Sequence, residues 1–365
     1  MITWRTISTA LSALLAVTLA SGCGEPQVKH FDANSYPDKL SDWGLVIHQD
    51  GTLTIHQDTE VYALNTELFS DSAQKLRTVY IPNGYAATYH AEETFQFPVG
   101  SIISKTFFYP VNGSGAVLTD ASWSGDPKDI DLSSHRLIET RLLVKQAQGW
   151  DALPYVWSGD DAYLAITGAL KELKAANGES MNYLVPSKNQ CASCHATNHT
   201  SGLILPIGPK ARHLNRLDPV YGDNQIHRWE KSGKLTGVTQ AVPANAALLD
   251  TSADLEHRAR SYLDINCGHC HNPQGAADTS GLLLNYADHE PDNMGICKPP
   301  IATGGGSGGR LYSIVPGHAN ESILSYRIAS TKAAAMMPEL GRTLVHQEGV
   351  DLINEWINSL SGECL

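Results

Sequence analysis

The sequence predicts a multidomain α+β protein, with an antiparallel β-sandwich-like N-terminal region followed by a mainly α-helical region. Three observations carry this. A chain of 365 residues exceeds one ordinary domain, and 42% hydrophobic content suffices for more than one packed core. Up to about residue 155, β-branched and aromatic runs are punctuated by Asp50-Gly51, Asn83-Gly84 and Asn112-Gly113, the turn pairs of tight hairpins. From "DDAYLAITGALKELKAANG" onward, Leu164, Ile166, Leu170 and Leu173 recur at helical spacing, with Asn177-Gly178 as a stop.

Residues 1–22 read as a signal peptide. "ISTALSALLAVTLA" is apolar but too short for a bilayer-spanning helix, and Ala20, Ser21 and Gly22 before Cys23 form a lipoprotein-like cleavage box. Cys23 is then the expected lipidated N-terminus, and the expected location is the periplasm, tethered to the outer membrane. A net charge of −12 without a Lys/Arg-rich run excludes nucleic acid as a partner and favours partners with basic docking patches.

Within the β-rich domain, 23–155, the recurrence of His-Gln-Asp at 48–50 and 56–58 reads as two arms of one hairpin, with His48 and His56 on an exposed strand face. Glu139 and Arg141 in "LIETRLL" read as members of a cross-strand ion pair rather than catalytic groups.

Two short motifs carry the chemistry. "CASCH" spans Cys191, Cys194 and His195, and "CGHCH" spans Cys267, Cys270 and His271. In both, histidine directly follows the second cysteine. With 15 His among 365 residues, chance produces that coincidence about once in six hundred. Zinc would need the two pairs to converge across 72 intervening residues, far beyond the spacing of ribbons and fingers. A dithiol centre would explain Cys-Gly-His-Cys, but such motifs follow a β-strand, whereas "DLEHRARSYLDIN" is helical in pattern. Covalent haem attachment requires all three residue types in both copies: thiols at i and i+3 meet the two haem vinyl groups, and the next imidazole reaches the iron. Two haem c groups are therefore expected, the first within 156–245 and the second within 246–365.

Around the second motif, a helix from about Ser252 to Ile265, a long loop, "AAAMMPELGR" and a terminal helix with Val350, Ile353, Trp356 or Ile357, and Leu360 on one stripe resemble a class I cytochrome c. Met337 before Pro338 is then the expected distal ligand, with Met336 the alternative. The stretches "LFSDSAQKLRTVYIPNG", "FPVGSIISKTF", "NQCASCH", "IGPKARHLN", "RSYLDINCGHCHNP" and "MMPELGRTLVHQEGVDLINEWI" resemble an uncharacterised family of bacterial dihaem c-type cytochrome lipoproteins. That resemblance implies electron transfer with redox partner proteins, in some members a parallel β-helix protein.

The first haem's distal side is the open question. His213 is the leading candidate, ahead of His199, His227 and Met181, and a vacant position would suit a haem peroxidase or small-molecule oxidoreductase instead of a carrier. A haem-based redox sensor is a third reading. "TGGGSGGR" contains Gly304, Gly306 and Gly309 at dinucleotide-motif spacing, yet no βαβ unit surrounds it, so it reads as a loop. Of the seven cysteines, Cys297 and Cys364 remain, and an oxidising compartment makes them an expected disulfide.

Overall fold

The computed structural model describes residues 27–120, 128–218, 221–239, 241–301 and 303–365. The expected signal peptide and the expected lipidation site at Cys23 lie outside the described residues. The chain runs through β1 (Val46–Gln49), β2 (Thr52–Ile55), β3 (Thr59–Val61), β4 (Gln74–Tyr80), β5 (Ala87–Thr88), β6 (Ile102–Pro110) and β7 (Asp129–Asp131). It continues through β8 (His135–Gln146), β9 (Gly149–Ser158), β10 (Asp161–Leu164), β11 (Ala169–Lys174) and β12 (Ser180–Val185) to α1 (Lys188–His195). Then come α2 (Ala211–Leu214), α3 (Gln225–Lys231), β13 (Leu235–Thr236), α4 (Leu255–Asn266), α5 (Pro291–Met294), α6 (Ile323–Ile328) and α7 (Gln347–Ser359).

Antiparallel sheets build the N-terminal region. A six-stranded sheet in the order β10-β9-β8-β6-β4-β3 is faced by a three-stranded sheet, β1-β2-β7. Leu53, Ile55 and Ile130 of the small sheet pack with Ile102, Phe108, Leu142 and Tyr155 of the large one in a single core. Period-two alternation decides which side chains enter it. Asp50 and Gly51 close the β1-β2 hairpin with φ of 52° and 76°, the left-handed pair that a two-residue turn needs. Asn83-Gly84 also marks a turn, but β4 pairs with β3 and β6 rather than with β5.

Three expectations about individual elements are corrected. "DDAYLAITGALKELKAANG" is not a helix: it forms β10 and β11, and Asn177-Gly178 lies in the turn to β12. Met181, Tyr183 and Val185 alternate inward on β12 and, paired residue for residue with β11, outweigh a weak helical stripe whose Ile166 and Leu170 stay exposed. The boundary at 155 therefore falls inside β9, and 23–155 and 156–245 share structure. Parallel pairing of β13 with β5, and a core of Tyr62 and Ile103 with Leu214, Trp229 and Ile265, join them. Glu139 pairs with Arg141 along its own strand, and His56 is buried instead of lying on an exposed face.

The C-terminal region is not mainly helical. Between α4 and α7 only the short α5, α6 and three 3₁₀ turns interrupt loop structure. Its core is the crossing of α4 and α7, where Tyr262 and Leu263 meet Val350, Ile353, Trp356 and Ile357. Gly349 permits that crossing, because a Cβ there would collide with the Tyr262 ring. Among the described residues no helix is long and apolar enough to cross a membrane.

Cys297 and Cys364 are disulfide-bonded across a sequence separation of 67, pinning the chain after α7 to the long loop. Closing a loop of that size removes denatured-state entropy worth about 4 kcal/mol. Cys297→Ser/Cys364→Ser should lower the unfolding free energy by about that much in urea titrations. A loss under about 1 kcal/mol would mean that the bridge does not restrain the unfolded chain.

Candidate functional site

Both motifs sit at helix ends built for them. A capping box starts α1: Gln190 N donates to Ser187 Oγ at 3.2 Å, and Ser187 N donates to Gln190 Oε1 at 2.9 Å. Eight residues later the helix ends at His195. Asp254 caps α4, accepting from His257 N at 3.1 Å, and α4 ends at Asn266, delivering Cys267. Gly268 is required by close packing, since a Cβ would lie 2.5 Å from Asn285 Oδ1 and 2.8 Å from Asp264 O.

The two motifs dock on each other. Cys270 Sγ lies 3.7 Å from Ser193 O. His199 N donates to Gln274 O at 2.8 Å, its Nδ1 lies 3.1 Å from the Gln274 and Gly275 carbonyls, and Asn198 Nδ2 donates to Gln274 Oε1 at 3.0 Å. Elements that are far apart in sequence are thus joined at their chemically active ends.

Hydrogen bonds fix the tautomers of both motif imidazoles. His195 Nδ1 faces Leu205 O at 2.9 Å, and a carbonyl only accepts, so Nδ1 carries the proton. His271 Nδ1 lies 3.3 Å from Ser280 Oγ, whose own proton goes to Ala277 O at 2.6 Å, so Nδ1 again donates. In each ring the Nε2 lone pair is left free for a metal, as it is in metal-ligating histidines oriented by a neighbouring acceptor. Burial pushes both imidazoles down to about 4, keeping them neutral. The thiols move the other way, with burial raising Cys267 and Cys270 to about 12. A dithiol centre needs lowered thiol pKa values, so this environment disfavours that chemistry. Among the described residues no three His, Cys, Asp or Glu side chains converge to hold an ion directly.

Two adjoining cavities share Leu68, Lys105, Arg141, Cys191, His195 and Ile207. Their floor is the large sheet, where Arg77 on β4 is registered opposite Lys105 on β6, and Lys105 opposite Arg141 on β8. Like charges directly opposite repel. Glu67 bonds Arg77 at 3.0 Å and Glu139 bonds Arg141 at 2.6 Å, but the Lys105 amine makes no ion pair among the described residues. Burial, then Arg77, Arg141 and Lys75, push Lys105 down to about 7. A row of cations facing a cavity with two thiols and an imidazole fits a haem, whose two propionates would offset the repulsion. A third cavity brings Met337 together with Cys267, Phe69, Tyr262 and His346. Arg342 holds that loop, donating to Met337 O from Nε at 3.1 Å and Nη2 at 2.8 Å. Met336 does not line this cavity.

The distal candidates for the first site fare differently. His213 lines its cavity, but Nε2 bonds Asp264 Oδ2 at 2.6 Å, so the nitrogen that would ordinarily reach iron is occupied. His199 is turned toward the second motif, His227 is exposed on α3, and Met181 is packed in the β11-β12 core. His269, inside the second motif, lines the first motif's cavity with Cys191, Cys194 and His195. Sequence reasoning overlooked it and the cation row, although Lys105 shares a strand face with Ile103 and Phe107, a legible sign of an inward charge.

No family model, curated protein or solved structure matches the chain.

Asp264 also accepts from Tyr286 N at 3.0 Å and Asn245 Nδ2 at 3.2 Å. Burial alone would raise its pKa, but the His213 hydrogen bond and charge hold it well below the carboxylate range, while burial lowers His213. Below its ordinary 6.5, His213 is protonated first in the unfolded chain, so the stability from this pair falls as pH drops, and the Asp264 contribution is lost at still lower pH. Asp264→Ala should cost about 3 to 5 kcal/mol at pH 7. In His213→Gln, unfolding free energy should decline less steeply from pH 7 to 5 than in wild type. Equal slopes would show that another group titrates.

Proposed function

We propose that the protein is an exported, membrane-tethered dihaem c-type cytochrome that transfers electrons between partner proteins. The observation that carries the reading is the docked pair of Cys-x-x-Cys-His motifs, each imidazole fixed with Nε2 free. When bound, haem supplies the one-electron chemistry. The protein's own residues do the rest. Cys191 and Cys194, and Cys267 and Cys270, would hold the two groups by thioethers, with His195 and His271 as proximal ligands. Lys105, with Arg77 and Arg141, would meet propionate charge at the first site. Met337, held by Arg342, would be the second iron's distal ligand, and a thioether ligand raises reduction potential relative to a second histidine. The contact between motifs supports electron exchange within one chain, because Cys270 lies against Ser193. Kinship with the dihaem cytochrome lipoproteins is part of the same proposal, as are the Cys23 anchor and a parallel β-helix partner.

A pyridine haemochrome assay on protein matured in an exporting host should return two covalent haems per chain, and one in Cys191→Ser/Cys194→Ser or in Cys267→Ser/Cys270→Ser. One covalent haem or none in wild type would end this reading.

Met337→Ala should remove the methionine-to-iron charge-transfer band and lower one of the two potentials, while Met336→Ala leaves both unchanged. The opposite pattern would move the ligand by one residue.

A further inference from the structure

We propose that His269, carried by the second motif, supplies the distal ligand of the first haem, so that the C-terminal region completes the coordination of the haem attached to α1. This rests on the dihaem reading above and deepens it. His269 and His195 line one cavity together with Cys191 and Cys194. The His269 ring has no structural hydrogen bond to keep: Nδ1 is sealed from solvent without a partner, and Nε2 bonds no protein atom among the described residues. Nε2, the nitrogen whose engagement by Asp264 removes His213, is thus free in His269 to reach an occupant of the cavity.

Of the other histidines between the motifs, only His213 lines either of the two cavities that hold His195. His213 gives Nε2 to Asp264 and keeps only Nδ1 without a partner, His199 bonds the Gln274 and Gly275 carbonyls, His227 faces outward, and His257 Nε2 lies 3.2 Å from Ala244 O. The motif-to-motif contacts explain how His269 arrives. With Cys270 against Ser193, the Gly268-His269 turn points across the seam into the cavity of the other motif. Gly268 makes this possible by letting the turn pack against Asn285 and the Asp264 carbonyl. The arrangement also accounts for the brevity of the segment between His195 and α4, which need not build a distal wall of its own. Two histidines would then close the first iron to exogenous ligands, leaving electron transfer and not peroxide turnover as its chemistry.

The test uses the full haem-loaded chain. Haem count, electron paramagnetic resonance of the ferric protein and carbon monoxide binding by the ferrous protein would be compared in wild type, His269→Gly and His213→Gln. Expected in wild type are two haems, both low-spin, one bis-histidine and one histidine-methionine, with no carbon monoxide bound at the bis-histidine site. His269→Gly should keep two haems, convert one to high-spin and bind one equivalent of carbon monoxide, and added imidazole should restore the low-spin signal. His213→Gln should leave the bis-histidine signal in place. A bis-histidine signal that survives in His269→Gly, its loss in His213→Gln, or a high-spin first haem in wild type would overturn the proposal. Where His269→Gly fails to mature, His269→Met makes the same distinction, since it should replace the bis-histidine signal by a second histidine-methionine signal, and an unchanged bis-histidine signal would overturn the proposal. A wild-type count below two would instead strike the dihaem reading itself.

Discussion

Asp264 is the constraint on which the arrangement depends. Its buried carboxylate accepts from His213 on α2, from Asn245 in the segment before α4 and from the Tyr286 amide after the second motif. An ionised group at that depth is tolerable only when its lone pairs are filled, so three separated segments are obliged to meet at one helix turn. That turn ends in Cys267. The carboxylate thereby places the second motif against the sheet-side half of the molecule, and the contacts of Cys270 with Ser193 and of Gln274 with Asn198 follow from it.

The sheet contributes position and charge. Because Arg77, Lys105 and Arg141 fall on one register rung of β4, β6 and β8, their repulsion is built into strand pairing and cannot be relaxed by moving one side chain alone. Two of the three have carboxylate partners, and the cavity they face is where the first motif's thiols and imidazole lie. A second buried acid, Asp71, anchors the far side: it accepts from the Thr343 and Leu344 amides and the Thr343 hydroxyl, clamping the chain after Met337 to the sheet domain. The methionine loop is thus held from two directions, by Asp71 from without and by Arg342 from within.

The sequence was a poor guide where local pattern and tertiary pairing disagreed. Leu164, Ile166, Leu170 and Leu173 fit a helix, but half of that stripe is exposed in the folded chain, while Met181, Tyr183 and Val185 align with β11 and bury. His213 stood out in the sequence only as a candidate distal ligand of the first haem. Its engagement by Asp264 was not, because the two residues lie 51 positions apart and no local spacing connects them. His269 was hidden by its own motif, where a histidine between two cysteines reads as part of a dithiol pattern.

What the sequence determined by itself is local chemistry: two Cys-x-x-Cys-His triads, a methionine before a proline, the Asp50-Gly51 turn pair at left-handed positions and an amphipathic α7. Each depends on residues within a few positions of one another, so spacing alone specifies which atoms share a turn. What only the tertiary structure decided is which cavity each side chain faces. The docking of one motif on the other, the cation rung and the commitment of His213 to Asp264 join residues across long stretches of chain, and they arise from strand register and from the need of buried charges for partners, neither of which is written in local pattern.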